Sequence, residues 1–302
     1  GIVPDVVCYG SAIQACADAG MSNEALSLMR RMSEEGLLPD KTAFNAAIIS
    51  CGEKGQWEKA LDLLGEMRDA GLRPDQNSYR FAMKACSAGG RWERALLLLQ
   101  EMEEDGSTPD TAAFETALDA LRNAAQWEKA KELISDMDEL GVPPTEACFA
   151  SAIAACVEVG QWREAATARK LMGYYGLQPE LETYKSIIKA CLVGKEFNMA
   201  QTTLFDIQTS GKRPDQETWD LLVEICAKLD RWDAALEIIR DIFAEEVWFD
   251  MTTIRSRFFD CPTEEIKMKA LTIMAMEARA APAMKRKKMN NMRAAAKRKP
   301  SF

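Results

Sequence analysis

Two pairs of cations are the first residues whose spacing suggests a chemistry. Arg80 with Lys84, and Lys185 with Lys189, are each four residues apart, so on a helix each pair presents both charges on one face. Charges so placed can clamp a phosphate, and they serve equally well as a solvated helix face. A third concentration of charge closes the chain. Lys285, Arg286, Lys287, Lys288, Arg293, Lys297, Arg298 and Lys299 come with no acid among them. Such a run is either a solvated extension or an arm that threads into nucleic acid.

Little else could carry chemistry. The 302 residues include no His, no Cys-x-x-C pair and no glycine-rich phosphate loop. No catalytic residue, metal site or cofactor is expected, and no small-molecule substrate. The 9 Cys do not read as a disulfide scaffold. Cys16, Cys51, Cys86, Cys156, Cys191 and Cys226 fall in one column at a fixed period, each expected to be buried in its own repeat. Helices stacked roughly 8–10 Å apart would hold them beyond the ~7 Å a disulfide tolerates. They read as small core hydrophobes in a reducing compartment. No run approaches the ~18 apolar residues of a membrane helix, so no membrane insertion is expected.

The elements that must position these residues repeat. Gly55-Gln56-Trp57-Glu58-Lys59-Ala60 returns as Gly90-Arg91-Trp92-Glu93-Arg94-Ala95, and again around Trp127, Trp162, Phe197 and Trp232, each aromatic 35 residues after the last. Proline recurs at Pro4, Pro39, Pro74, Pro109, Pro144, Pro179 and Pro214, with glycine three residues before each. Alanine fills Ala25, Ala60, Ala95, Ala130, Ala165, Ala200 and Ala235. A fixed period of this length is the signature of stacked helical repeats.

Within the unit from Lys41 to Asp75, Phe44, Ala47, Ile48 and Cys51 recur at spacings of three and four and make one apolar helical face. A second helix carries Ala60, Leu63, Leu64 and Met67 inward; Gly71 caps it and Pro74 prevents its continuation. Each repeat is a helical hairpin that cannot bury its apolar face alone. The predicted fold is all-α: a right-handed α-solenoid superhelix of seven 35-residue helix-turn-helix repeats over 6–250, with 1–5 as the end of a preceding repeat. Residues 251–281 read as a partial repeat and a capping helix, which Thr263-Glu264-Glu265 opens and which runs to about Arg279. Residues 282–302 form the basic tail, expected to be extended or disordered. Gly1-Ile2-Val3-Pro4-Asp5 reads as the tail of an earlier repeat, so the chain is expected to start inside a longer protein that carries any targeting segment.

Hairpins of 35 residues with an aromatic in the first helix, Ala and Met in the second and a terminal Gly-x-x-Pro-Asp resemble pentatricopeptide repeats of the P type. The wording Ala-Cys…Gly-Gln-Trp-Glu-Lys-Ala-Leu is closer to algal and protist repeats than to those of land plants. Tetratricopeptide repeats are the near neighbour, but their period is 34. The resemblance implies a protein of mitochondria or plastids that binds single-stranded RNA, one base per repeat. It places the base-reading side chains just after the first-helix aromatic and just after the closing proline. The pairs are then Gly10 with Asp40, Asn45 with Asp75, Arg80 with Asp110, Glu115 with Thr145, Ala150 with Glu180, Lys185 with Asp215, and Asp220 with Asp250. Asn45 with Asp75 implies a uridine preference. Five pairs depart from the family's usual Asn, Ser or Thr in the first slot.

Charge bears on this expectation. The formal net charge is −9 and the eight tail cations contribute +8, which leaves −17 on residues 1–284. A protein that neutralises phosphates needs Lys and Arg on its contact face. Two functions of different class remain open. One is an RNA-binding factor in processing, stability or translation of organellar transcripts, without catalysis of its own, in which Lys84 and Lys189 hold phosphates. The other is a structural subunit of a large organellar assembly such as a ribosome, binding protein through the acidic solenoid and RNA through the tail.

Overall fold

The hairpin predicted for each repeat is what the chain forms. The computed structural model describes residues 4–52, 54–244, 252–259 and 261–275. Helices come in pairs: α1 (Val6–Asp18) with α2 (Ser22–Glu34), α3 (Lys41–Gly52) with α4 (Trp57–Asp69), α5 (Gln76–Ala88) with α6 (Trp92–Glu104), α7 (Thr111–Asn123) with α8 (Trp127–Glu139), and α9 (Glu146–Ala155) with α10 (Trp162–Tyr174). Then come α11 (Leu181–Val193) with α12 (Phe197–Thr209), α13 (Gln216–Lys228) with α14 (Trp232–Ala244), and α15 (Thr252–Phe259). Residues 264–275 form α16. The architecture is an all-α solenoid of helical repeats.

Two local devices set the hairpins. The second helices from α2 to α12 each end in a left-handed glycine, Gly36, Gly71, Gly106, Gly141, Gly176 and Gly211, that bonds back into the last turn. The Gly36 N–H donates to the Ser33 carbonyl and the Leu37 N–H to the Met32 carbonyl, both at 3.0 Å, the Schellman closure. The same closure ends the first helices: the Met21 N–H reaches the Cys16 carbonyl at 2.8 Å, and the Gln56 N–H reaches that of Cys51 at 3.0 Å. Cys16, Cys86, Cys191 and Cys226 therefore share a position with the methionine column, the third from the end of a helix, whereas Cys51 is second from the end of α3 and Cys156 is the C-cap of the shorter α9. At the start of the first helices, the residue after the closing proline is the N-cap. Asp5, Asp40, Asp75, Asp110 and Asp215 accept from the backbone N–H three residues on at 2.8–2.9 Å, and Thr145 does so at 3.3 Å.

The chain divides into two compact units, residues 1–159 with 163–180 and residues 160–162 with 181–302. In the first, α1, α3, α5, α7 and α9 stack one on the next, and α2, α4, α6 and α8 each pack on the first helix of the following hairpin. In the second, α11, α13 and α15 stack in the same way, with α12 and α14 beside them. The core is the repeat columns. The whole alanine column, Met32, Met67, Met102, Met137, Met172, Ile207 and Ile242 are fully buried, and the first-helix aromatics from Tyr9 to Trp219 nearly so. Cys51, Cys86, Cys156, Cys191 and Cys226 are buried, whereas Cys16 is half-exposed, a departure from the expected uniform column. Burial pushes the Cys86 thiol up to about 11 and those of Cys156, Cys191 and Cys226 up to about 12, so they are inert at neutral pH.

The repeated tryptophans pack rather than project. The Trp57 ring lies against the next hairpin turn, where a Cβ on Gly89 would meet its Cδ1 at 2.5 Å, and the Arg91 guanidinium sits 5.2 Å over it. At the C-terminal end, α15 packs on α13 as a further first helix, and Glu264 and Glu265 lie in the first turn of α16. The expected extension to Arg279, the basic tail, and Gly1 and Asp250 lie outside the described residues.

One turn position generates a test. The left-handed residue closing each first helix is Gly20, Gly55, Gly90 and Gly160 in four repeats, but Ala125 (φ 54°), Lys195 (φ 56°) and Asp230 (φ 53°) in three. A side chain there costs about 1 kcal/mol. Ala125→Gly is expected to stabilise the fold by about 1 kcal/mol, and Gly90→Ala, the reverse change one repeat earlier, to destabilise it by about as much. The urea midpoint of the helical circular dichroism reads both, and shifts of the same sign would refute the account.

Candidate nucleic-acid interface

Among the described residues, those singled out above for reading a base lie on the first helices and at the N-caps that open them. Their side chains are not equally available. Gly10 offers none, and Asp40 is committed through one oxygen to capping α3. Asn45 and Asp75 are brought together through Ser78, whose hydroxyl lies 2.7 Å from Asn45 Oδ1 and 3.0 Å from Asp75 Oδ1. Burial alone would raise the Asp75 carboxyl; hydrogen bonds from Ser78 and Asn45 outweigh it and hold the group below the usual carboxylate range. This pair is preorganised, hydrogen-bonded and half-exposed.

Two other pairs are closed on themselves. The Thr145 hydroxyl donates to the Glu115 carboxylate at 2.7 Å. The Lys185 ammonium reaches Asp215 at 3.2 Å, Glu217 at 2.7 Å and also Glu182, and only 3% of the residue is exposed. Lys189 is paired with the same Glu217 at 2.7 Å. Glu182, Asp215 and Glu217 lie close enough together to share a cation, and the Lys185 ammonium already sits among them. The structure thus places Lys185 in a carboxylate cage, not on an open phosphate site as its spacing had suggested. Burial would lower its pKa, but the three carboxylates more than offset that and raise it.

Arg80 behaves differently. Its guanidinium donates to Asn77 at 2.7 Å and lies 5.5 Å over the Phe81 ring, which fixes its plane. Asp110, its expected partner in reading, caps α7 through the Ala113 N–H at 2.9 Å. Arg80 and Lys84 line an open cleft of about 450 Å³ between α5 and α7, with Arg122 on the opposite helix. Ser87, Thr116 and Asn123 supply polar groups there, and Asn123 Nδ2 donates to Ser87 Oγ at 3.1 Å. The one carboxylate in the lining, Asp119, is taken up by Arg122 at 3.3 Å and by the Ser151 hydroxyl at 2.8 Å. Three cations against one doubly engaged carboxylate make this a positive cleft on an otherwise acidic chain. Sequence reasoning had Arg80 and Lys84 but missed Arg122. The signal was available: Arg122 follows Arg80 by 42 residues, one repeat plus two helical turns.

Comparison with known proteins agrees with the repeat fold. The PPR repeat model matches residues 7–37 and 78–107, and the model of the PPR repeat family matches residues 42–88. The crystal structure of the maize pentatricopeptide repeat protein PPR10 superposes with a TM-score of 0.76 at 22% identity, covering 90% of this chain and 40% of that one. The same maize protein in complex with an 18-nt psaJ RNA element gives 0.56 at 21% identity, over 92% of this chain and 39% of that one. The PPR domain of Arabidopsis thaliana protein-only RNase P 1, in complex with tRNA, gives 0.51 at 20% identity, over 59% and 94%. The chain thus spans about two fifths of the length of the maize protein. No curated protein matches the sequence. The repeat models thus mark pentatricopeptide repeats at 7–37, 42–88 and 78–107, and the 35-residue period carries the same proline, glycine and alanine columns on without a slip, so this chain carries pentatricopeptide repeats.

Proposed function

We propose that this protein binds single-stranded RNA along the groove lined by its first helices and acts, without catalysis of its own, in transcript processing, stability or translation in a mitochondrion or plastid. The observation that carries the reading is the cleft between α5 and α7. Arg80, Lys84 and Arg122 converge there on the face that the repeat fold leaves open. Arginine suits phosphate because its planar fork donates two parallel hydrogen bonds. One repeat away, Asn45 and Asp75 present the preorganised pair that implies uridine. Solved relatives of the same fold, the maize protein and the RNase P domain, hold RNA.

A second reading has its own support in the second unit. There the acids quench the cations: Lys185 and Lys189 are bound by Glu182, Asp215 and Glu217, and Lys228 is bound by Glu224 at 3.2 Å. That face suits a protein partner better than a polyanion, as in a structural subunit of an organellar assembly whose basic tail touches RNA.

RNA binding is tested by fluorescence anisotropy of a labelled oligouridylate titrated with the full chain across a salt series. The affinity is expected to fall with salt, with a log–log slope of about 0.7 per phosphate neutralised. Arg80→Ala with Lys84→Ala should reduce that slope by about 1.4. No binding at low salt would remove the reading.

The cage in the second unit has a pH signature. Hydrogen bonds from Lys185 and Lys189 hold the Glu217 carboxyl below its ordinary value. For Asp215, burial would raise the carboxyl, but bonds from Thr218 and Lys185 outweigh it. Both groups are depressed on folding. Their contribution is therefore present above the unfolded carboxylate pKa and is lost as the pH falls through the folded one. Lys185→Met is expected to cost about 1–2 kcal/mol near pH 7, discounted because the carboxylates are half-exposed, and progressively less as the pH falls below the ordinary carboxylate range. Urea unfolding across a pH series from 7 downward checks this, and a loss that does not change with pH would contradict it.

A further inference from the structure

The first helices from α1 to α13 carry seven Lys or Arg residues: Lys41, Arg80, Lys84, Arg122, Lys185, Lys189 and Lys228. Lys185, Lys189 and Lys228 are held in ion pairs. Lys41 opens α3 and adds its field to the Asp75 cap. The other three meet in the single cleft between α5 and α7. The pairs expected to read bases are likewise uneven, because Glu115 is bonded to Thr145 and Lys185 to Asp215.

From this distribution we infer that RNA is anchored at one step of the array rather than read repeat by repeat. The cleft between α5 and α7 is a nucleotide-sized site that takes one phosphodiester and its base. This rests on the RNA-binding reading and deepens it. Lys84 has no partner among the described residues, so its ammonium is available to a phosphate oxygen. Arg122 faces it from α7 and keeps its remaining N–H donors beside the one spent on Asp119. Arg80, held flat over Phe81, stands where a base would otherwise be read, and its fork matches either a phosphate or the acceptor edge of a guanine. A volume of about 450 Å³ falls within the range of small-ligand sites and holds one nucleotide, not several. On either side, capped and self-paired side chains offer little that a second or third phosphate could replace.

The test is a length series of oligouridylates and matched oligoguanylates, short enough to stay unstructured, titrated into the full chain at fixed low salt. Each affinity is corrected for the number of registers in which the strand can bind. The expected result is a plateau at about three nucleotides, as for a local site with flanking contacts. Arg122→Ala and Lys84→Ala should each weaken binding about tenfold and lower the salt slope by about 0.7. Lys131→Ala, an exposed cation on α8 of the same unit, should leave binding unchanged. All three alter exposed side chains, and circular dichroism checks that the helices persist. An affinity that climbs with every added nucleotide across the array, with Arg122→Ala no different from the parent, would overturn the local anchor while leaving RNA binding in place. Failure of every oligonucleotide to bind would remove the RNA reading itself.

Discussion

A helical hairpin has two apolar faces and only one of them meets its own partner helix. Everything else in this chain follows from covering the second face with the next hairpin. The alanine column lets the paired helices approach, and the methionine and aromatic columns fill the space between successive hairpins, each at or near zero exposure. Burying one such side chain fully is worth about 1.5–3 kcal/mol, and the gain exists only while the columns stay in register. One inserted residue would rotate the rest of a helix by about 100° and turn a buried methionine toward water. The unbroken period is thus a packing requirement.

The same requirement fixes many of the polar residues. With helices only 13 residues long in most repeats, unsatisfied ends are a large share of the backbone, so each end has its own closure. The acid after the closing proline is the N-cap of the following helix in nearly every repeat, a role worth about 1 kcal/mol. Asp40, Asp75, Asp110 and Asp215 therefore have a structural reason to be acidic whether or not a base ever meets them. Only the second carboxylate oxygen is spare, and in Asp215 Lys185 takes that one too. A reading based on that position alone cannot separate recognition from capping. The first-slot residue, which caps nothing, carries the information.

This explains what was legible in the sequence. The fold was, because period, apolar columns and cap residues are all written along the chain. The buried cysteine column was too, except at Cys16 in the first hairpin, which is half-exposed. The state of the reading positions was not legible. Whether Glu115 is free or bonded to Thr145, or Lys185 free or caged, depends on contacts between residues about 30 apart that lie side by side in adjacent hairpins. Pairing residues by family position brought Lys185 and Asp215 together on paper as joint readers of a base. In space they neutralise each other.

The geometry of that neutralisation explains why the positive cleft lies where it does. A first-slot residue sits beside the cap of the next hairpin, so a lysine in that slot finds a carboxylate within reach; Lys185 finds Asp215 and two more. A cation escapes this fate in one of two ways. It can be tied elsewhere, as Arg80 is by Asn77 and the Phe81 ring. Or it can stand a turn or more along the helix, beyond the reach of the cap, as Lys84 and Arg122 do. Distance along the helix does not suffice when the next hairpin brings its own acid, and Lys189, the counterpart of Lys84, is bound by Glu217. In the column of Glu217, the hairpin of α7 has Ala112, a side chain that cannot pair with a cation. A single alanine at that point, as much as the lysine and arginines themselves, keeps the cleft between α5 and α7 open to an anion.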